Sequence, residues 1–482
     1  MKITIVGHEE RYLIECLSLL FLPGCSFRDD ADGRSAVSRV TLDGERAAIH
    51  SSITADGRTA ADETVERLAP DDGALARAVA RSFYRAGQRL TGLKPPWGTL
   101  IGIRPAKKVA ALLRGGLTPD GAADYLAREY LTEPGKTALC LAALEEEREA
   151  LRVLPAHSAS LYIGIPFCPS RCSYCSFVSH SIEKARRLLP GYLELLGQEI
   201  AATADAARRA GLTVNTVYIG GGTPTVLDAD QLDTLMARVG DCFPAGSLAE
   251  YTVEAGRPDT ITPEKLAVIR ARGANRVSIN PQTMDDGTLA AIGRTHTAAD
   301  IERAYREACA VGFDAVNMDM IAGLPGESAE SFCRSVDRVL ALAPENVTVH
   351  TLSLKRAANL RAMGTDIFRG ENEKVSAMLA YSQQALARAG YHPYYLYRQK
   401  NTIGNNENIG FCRDGRASLY NIYIMGEFQT ILSCGAGGVT KFVFDGGERI
   451  ERIFNPKYPY EYRDRFSQIL QEKEKIVSAF SR

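Results

Sequence analysis

The stretch YIGIPFCPSRCSYCSF, Tyr162–Phe177, places three cysteines within eight residues, directly after a short apolar segment. The cysteines, spaced C-x3-C-x2-C, are Cys168, Cys172 and Cys175. Because Pro166 and Pro169 disfavour helical geometry, we expect the thiols on a loop at the carboxyl end of a strand. A short loop of this kind can wrap three thiolates around one metal centre.

The number of cysteines limits the kind of centre. The chain has 482 residues and 11 cysteines, and this odd total in a long chain argues against a disulfide framework. Zinc usually takes four ligands, commonly from paired knuckles, but the sequence has no second CxxC and only His180 nearby. Three thiolates on a [4Fe–4S] cluster leave one iron open to another ligand. We therefore predict a [4Fe–4S] cluster, with a zinc site or three packed free thiols as alternatives.

Strand and helix patterns alternate from Leu161 onward, with helical stretches such as Ala185–Arg209 and Asp228–Val239. The predicted strands are Leu161–Ile165, Val214–Ile219, Glu250–Glu254, Arg276–Ile279, Ala315–Met320 and Asn346–Leu352. Six β/α units predict an α/β fold, an incomplete (β/α)6 barrel with helices outside a parallel sheet. In such folds the chemistry gathers at the carboxyl ends of the strands.

Two regions flank this predicted barrel, which spans residues 160–364. Residues 1–155 combine short apolar strands with helical patterns and predict an N-terminal α+β extension of unknown role. Residues 365–482 predict a C-terminal α+β module that covers the substrate. That module contains a helix at Glu373–Ala389, β-like runs that include Leu419–Met425, and a charged amphipathic helix from Tyr460.

Charge and hydropathy exclude several classes of protein. The net charge of −1 gives no bulk attraction to nucleic acid or to an anionic membrane. No run of about 18 uncharged apolar residues predicts a membrane span. The N-terminus has acidic Glu9 and Glu10 and no apolar core before a cleavage site, which argues against a signal peptide. We therefore expect a cytoplasmic protein.

Glycines and polar residues recur where the predicted strands end. The second strand ends in YIGGGTPT, Tyr218–Thr225, whose glycines let the backbone approach a ligand closely. Glu254 ends the third strand, where a buried carboxylate is costly unless it meets a partner. The next units contribute Gln282, Arg294 and Asp319. Together these residues predict a polar ligand site, with a tight β-to-α turn, ion pairs and helix caps as the alternatives.

These motifs resemble the radical S-adenosylmethionine (radical SAM) superfamily. In detail they resemble oxygen-independent coproporphyrinogen III oxidases, or coproporphyrinogen dehydrogenases, in the longer branch with an N-terminal extension. The shared patterns are Y-x-x-I-P-F-C-x3-C-x-Y/F-C, GGGTP, Gln-x11-Arg and D-x-I-x-GLPG, between Leu161 and Leu354. The resemblance assigns Tyr162 and the three cysteines to the catalytic set. It implies that SAM is contacted by Tyr162, Gly221, Gly222, Thr223, Glu254, Gln282, Arg294 and Asp319.

The same resemblance implies a reaction. A reduced cluster splits SAM into a 5′-deoxyadenosyl radical, and two propionates of coproporphyrinogen III become vinyl groups, which gives protoporphyrinogen IX. The implied partners are this small tetrapyrrole and a low-potential electron donor, flavodoxin- or ferredoxin-like. One departure is visible, because the family usually reads Y-x-H-I-P-F-C and this chain has Gly164 in place of the histidine. An imidazole donor or proton carrier is therefore lost.

Substrate contacts are predicted from cations near the last strand and in the aromatic stretch beyond it. The candidates for binding propionates are Lys355, Arg356, Arg398 and Lys400, with a solvated basic face as the alternative. Two other functions stay open. Some relatives in this branch are heme-binding trafficking proteins (chaperones) without oxidase activity, and such a protein could use His350 or His392. The third function is radical SAM chemistry on another substrate.

Overall fold

A computed structural model of the chain describes residues 1–27, 33–69, 71, 73–177, 180–353, 371–399 and 402–480. These residues group into two units. The first comprises Met1–Leu144, Met363–Ser376 and Leu396–Asn408, and the second comprises Glu145–Ala362, Ala377–Tyr395 and Ile409–Arg482. The three-part division predicted from the sequence stays a prediction. No helix in the described ranges is both long and apolar enough to cross a membrane.

The strands are β1 Lys2–Val6, β2 Ser35–Asp43, β3 Arg46–Ala55, β4 Arg58–Arg67, β5 Ser158–Ile165, β6 Phe167–Cys168, β7 His180–Ser181, β8 Thr213–Gly221, β9 Glu250–Glu254, β10 Arg276–Ser278, β11 Ala315–Ala322, β12 Asn346–Thr351, β13 His392–Arg398, β14 Glu407–Cys412, β15 Thr430–Cys434, β16 Val439–Phe444 and β17 Arg449–Phe454. The helices are α1 Arg11–Phe21, α2 Ala74–Thr91, α3 Pro105–Arg114, α4 Pro119–Tyr130, α5 Pro134–Arg152, α6 Ile182–Ala185, α7 Leu189–Arg209, α8 Ala229–Cys242, α9 Pro263–Ala271, α10 Asp286–Ala291, α11 Ala298–Val311, α12 Ala329–Leu342, α13 Glu371–Arg388, α14 Leu419–Gly426, α15 Pro459–Asp464 and α16 Phe466–Phe480.

The first unit contains a four-stranded sheet in the order β1-β2-β3-β4. β1 runs parallel to β2, and the other neighbours are antiparallel. Helix α2 packs on this sheet, because its apolar face, with Phe83 at its centre, is fully buried in the core of the unit. The α+β character expected of the N-terminal region is therefore visible in its local structure.

The second unit contains most of a sheet of 11 strands in the order β13-β14-β12-β11-β10-β9-β8-β5-β15-β16-β17. The six predicted strands are its parallel centre, from β5 through β8, β9, β10 and β11 to β12. Residues from the C-terminal part of the chain extend both edges: β14 lies antiparallel to β12, and β15 lies parallel to β5. The incomplete α/β barrel is confirmed.

The burial pattern of the central strands indicates where a site can form. These strands are buried on both faces, as expected for a parallel sheet under helices. Five partly exposed positions are polar and lie in the carboxyl-terminal half of their strands, at Tyr162, Tyr218, Glu254, Asp319 and His350. Because neighbouring strands run in the same direction, these side chains gather at one end of the sheet.

The predicted strand at Leu419–Met425 is wrong, because this segment forms the helix α14. The helix begins after Ser418, whose hydroxyl donates to a Glu250 carboxylate oxygen at 2.8 Å. The same carboxylate accepts the first two helical N–H groups, at 2.7 and 3.2 Å. A buried carboxylate at the amino end of a helix accepts hydrogen bonds from the free N–H groups and interacts favourably with the helix dipole. This stabilisation of the helix outweighs the β propensity of the segment.

The amphipathic tail predicted from Tyr460 is confirmed as α15 and α16. It is joined to the barrel by a buried ion pair between Lys473 Nζ and Glu199 Oε1, 2.7 Å apart. Tyr462 Oη also donates to this glutamate at 2.6 Å. The pair is fully enclosed, so each charge depends on the other for stabilisation.

Candidate active site

The cysteine loop begins at β6 and is held by backbone and side-chain hydrogen bonds. Cys175 N donates to the carbonyl of Cys172 at 3.1 Å, which tightens the loop. Ser173 N donates to the carbonyl of Ile292, just beyond α10, at 3.0 Å. Burial, with a smaller contribution from the neighbouring thiols of Cys172 and Cys168, raises the pKa of the Cys175 thiol to about 11, although a backbone hydrogen bond from Phe177 opposes the rise. A bound cation would therefore favour the thiolate form of Cys175.

The glycine motif at the end of β8 holds this loop through backbone hydrogen bonds. Gly222 N donates to the carbonyl of Ile165, and Thr223 N donates to the carbonyl of Phe167, each at 2.8 Å. A Cβ atom on Gly222 would lie 2.4 Å from the Phe167 carbonyl oxygen, so only glycine allows this approach. Gly221 has a φ of 107°, which also requires glycine. The close backbone approach predicted for these residues is therefore made to the cysteine loop, and their predicted contact with SAM stays a prediction.

Tyrosines and a glutamate line the end of the sheet next to the glycine motif. Tyr218 Oη donates to Glu254 Oε1 at 2.5 Å. The Tyr218 ring stacks between Tyr162 and Tyr420, with centroids 6.2 and 4.6 Å away. Burial raises the pKa of Glu254 to about 7, with Asp319 adding to the rise and Tyr218 opposing it. This carboxyl group can therefore exchange its proton near neutral pH.

Asp319 is a second carboxylate in the site, and its pKa is lowered whereas that of Glu254 is raised. Burial alone would raise its pKa, but interaction with His350 and hydrogen bonding from Asn317 lower it below the ordinary value. His350 Nε2 lies 3.8 Å from Asp319 Oδ2, and Asn317 Nδ2 donates to Oδ1 at 2.7 Å. The site thus contains one carboxylate that stays ionised and one that is easily protonated.

Gln282 and Arg294 complete the predicted set. Gln282 is buried and has a φ of 68°, a strained value for a residue other than glycine, of the kind that gathers at functional sites. Its backbone N–H donates to the carbonyl of Asp319 at 2.8 Å. Arg294 is also buried, and its guanidinium donates to the hydroxyl of Tyr174, inside the cysteine loop, at 3.1 Å. The structure therefore brings the predicted SAM contacts and the cysteines to the same end of the sheet, while their ligand roles stay predictions.

Comparison with known proteins agrees with this geometry. Residues 162–339 match the radical SAM superfamily. The oxygen-independent coproporphyrinogen-III oxidase-like protein HemZ of Bacillus subtilis is 39% identical over 81% of this chain and 78% of its own length. The chain belongs to this radical SAM family. The heme chaperone HemW of Bacillus subtilis is 36% identical over 61% of this chain and 73% of its own length.

A solved structure shows the same fold. The coproporphyrinogen III oxidase HemN from Escherichia coli, described as a radical SAM enzyme, superposes with a TM-score of 0.53 at 24% identity. The match covers 66% of this chain and 71% of the HemN chain. The predicted superfamily and fold are confirmed, and with them the cofactors of radical SAM proteins, a [4Fe–4S] cluster and SAM.

The cysteine loop of this radical SAM protein fits a cluster better than a single ion. Within the described residues, one group of three ligand atoms lies mutually within 4.8 Å, and it does not include these cysteines. One tetrahedral zinc ion, with Zn–S bonds of about 2.3 Å, would require sulfurs about 4 Å apart. More widely spaced sulfurs suit the corners of a polynuclear cluster. Cys168, Cys172 and Cys175 would hold that cluster.

Sequence reasoning missed a buried cation beside the cysteine loop. Arg257 Nη1 lies 3.8 Å from Cys172 Sγ and donates to Ser170 Oγ at 3.1 Å. Its guanidinium also pairs with Asp259 at 2.8 Å, and His296 Nδ1 lies 3.2 Å from the same carboxylate. The signal was the GRPD sequence that follows the β9 glutamate. This arginine places positive charge where thiolates and a reduced cluster carry negative charge.

Of the predicted substrate cations, Arg398 is the one that lies within the described residues. Lys355, Arg356 and Lys400 lie outside the described residues. Arg398 is buried in the first unit, where its guanidinium lies 5.3 Å from the centre of the Trp97 ring and donates to the carbonyl of Leu100. These partners disfavour a propionate contact by Arg398, which stays a prediction without structural support.

Proposed function

We propose that this radical SAM protein catalyses the oxygen-independent oxidative decarboxylation of coproporphyrinogen III to protoporphyrinogen IX. The observation that carries the proposal is the stacked Tyr162, Tyr218 and Tyr420, joined to Glu254 beside the cysteine loop. Apolar rings with convergent polar groups suit a large, partly apolar tetrapyrrole with carboxylate arms next to a polar cofactor. The extensive similarity to an oxidase-like relative supports the same substrate class.

When bound, the cluster and SAM would supply a 5′-deoxyadenosyl radical able to remove a hydrogen atom. For each propionate converted, loss of one hydrogen atom, one CO2 and one electron, which an acceptor would take, would leave a vinyl group. Glu254, held by Tyr218, can accept a hydrogen bond from an ammonium group in its ionised form. Asp319 stays ionised and can accept hydrogen bonds from hydroxyl groups. The buried tyrosine stack would help to exclude water from a substrate bound beside it.

The test is an anaerobic assay with reconstituted and reduced protein, SAM and coproporphyrinogen III. We expect 5′-deoxyadenosine and loss of carboxyl mass to appear together in the wild type and to vanish in Cys172→Ala. Cys242→Ala, which changes a partly buried cysteine of α8, is the matched control and should keep both products. 5′-Deoxyadenosine without loss of carboxyl mass would refute the substrate proposal and retain radical SAM chemistry.

A second candidate function, heme trafficking, is favoured by one feature of the site. Gly164 stands where the oxidase pattern has histidine, and its carbonyl accepts from Tyr192 Oη at 2.7 Å. A Cβ atom at this glycine would meet the carbonyl oxygen of Ala436 at 3.3 Å, so a side chain here would be crowded. Similarity to heme chaperones supports the same reading. A chaperone would bind heme at about one per chain in a spectral titration and release no carboxyl mass in the assay above.

A further inference from the structure

Three side chains with different ligand atoms converge in the second unit, away from the cysteine loop. Glu146 lies on α5, His392 is the first residue of β13, and Cys412 is the last residue of β14. His392 Nε2 lies 2.9 Å from Glu146 Oε1 and 3.3 Å from Cys412 Sγ. The ligand atoms of all three residues lie within 4.8 Å of one another. Carboxylate, imidazole and thiol groups at this spacing are typical of a site for one metal ion.

The topology separates this group from the predicted SAM site. Cys412 pairs with Asn346, the first residue of β12, so the group lies near the amino ends of the parallel strands. The cysteine loop lies at the carboxyl ends of the same strands. The two sites are therefore at opposite ends of the sheet, and the chemistry of one does not require the other.

Both ring nitrogens of His392 face acidic groups. Its Nε2 atom faces both a carboxylate and a thiol, but it carries either one proton or one lone pair. On the other side of the ring, Nδ1 lies 3.5 Å from the carboxylate of Asp414. A proton on Nδ1, directed to that carboxylate, leaves the Nε2 lone pair for a metal, as in the carboxylate–histidine pairs that support metal ligands.

Burial and charge at Cys412 also favour a bound cation. Cys412 is fully buried, whereas the side chains of Glu146 and His392 are 21% and 28% exposed. A divalent cation would displace the thiol proton and balance the two negative ligands. The partly exposed ligands leave a path for the ion and for a water molecule in a fourth position.

We propose that Glu146, His392 and Cys412 form a second metal site that takes a zinc-class divalent cation. Mixed nitrogen, sulfur and oxygen ligands suit zinc, which binds all three in a tetrahedral arrangement. The ion would join α5 to the adjoining ends of β13 and β14. Its expected role is structural, since the site lies far along the strands from the reactive end.

The test measures zinc in the full chain after the iron–sulfur cluster has been reconstituted, so that iron occupies the three cluster cysteines. The protein is equilibrated with Zn²⁺, desalted, and analysed for iron and zinc. We expect about one zinc per chain in the wild type and a loss of at least tenfold in affinity in Cys412→Ser. Cys434→Ser is the matched control, because that buried thiol lies next to Thr203 and not next to a histidine.

Two further measurements guard against misfolding of the buried-cysteine variant. His392→Gln and Glu146→Gln change partly exposed residues and should also lose zinc while their circular dichroism matches the wild type. Co²⁺ in place of zinc should give thiolate charge-transfer absorption in the wild type and in Cys434→Ser but not in Cys412→Ser. Equal zinc binding by the wild type and all three site variants, or no zinc in the wild type with a full iron complement, would overturn the proposal.

Discussion

Replacement of Gly222 by alanine should detach the cysteine loop from the strand that holds it. The added Cβ atom would lie 2.4 Å from the carbonyl oxygen of Phe167 and 2.8 Å from that of Ile165. Both neighbours are backbone atoms, so no side chain can rotate away. Relief of the clash must move the loop, and that movement breaks the hydrogen bonds donated by Gly222 N and Thr223 N, each 2.8 Å long.

The size of the effect follows from these contacts. Overpacking of a dense interior costs about 1–3 kcal/mol, and each lost hydrogen bond costs about 1 kcal/mol. Gly222→Ala should therefore destabilise the attached loop by about 3–5 kcal/mol, the sum of the overpacking and the two hydrogen bonds. The expected result is less than half the wild-type iron per chain after reconstitution and gel filtration, with a lower midpoint of urea unfolding.

Gly240→Ala is the matched control for this change. Gly240 lies in α8, and a Cβ atom added to it would have no neighbouring atom within 4 Å, so alanine should fit there without strain. It should bind iron as the wild type does and gain about 0.5–1 kcal/mol in the free energy of unfolding from its higher helix propensity. If Gly222→Ala matched the wild type in both iron content and unfolding midpoint, the anchoring role of the glycine motif would be refuted.

Three other changes test the charges of the second unit. Glu254→Gln should raise the free energy of unfolding by about 3 kcal/mol at pH 8 and change it little at pH 4. The reason is that folding raises the pKa of Glu254 from 4.5 to about 7, so the stability of the wild type falls as the pH rises through that window. Identical pH profiles of the two proteins, measured without SAM, would contradict this. Lys473→Met leaves Glu199 buried without its cation and should cost about 3–5 kcal/mol in urea unfolding, whereas exposed Lys475→Met should stay within about 0.5 kcal/mol. Arg257→Met removes a guanidinium 3.8 Å from a cluster-loop sulfur and should lower the cluster reduction potential. Loss of a contact worth about 1 kcal/mol should shift the one-electron potential by about 40 mV in a potentiometric titration. An unchanged potential would argue against tuning of the cluster by this residue.

The sequence was sufficient to locate the reactive end of the fold because the order of strands and helices along the chain determines which residues lie at the carboxyl ends of the strands. Parallel strands bring their carboxyl ends to one edge, so residues that follow successive strands must meet. Glu254, Asp319 and the cysteine loop are gathered in this way. The apolar strands themselves were predicted within a few residues, because burial on both faces demands continuous hydrophobic runs.

Residues that act through distant partners could not be found in the same way. Tyr218 lies opposite Tyr162 in the register of two strands, and its ring also meets Tyr420, which comes from a distant segment of the chain. The helical state of α14 depends on a carboxylate from β9, and β propensity alone predicted the opposite. Arg398 looked available on an aromatic strand but is enclosed by backbone carbonyls. Each of these outcomes depends on tertiary contacts that no local pattern encodes.

The pairing of β15 with β5 has a consequence for synthesis of the chain on the ribosome. The strand that carries Tyr162 has β8 on one side, but its other edge is completed by Ser433 and its neighbours. At ordinary translation rates that edge waits roughly 15 to 50 s for its partner. An open apolar edge next to three reactive thiols invites association with other nascent chains. The polypeptide should therefore depend on chaperones during this interval and acquire its cluster after release.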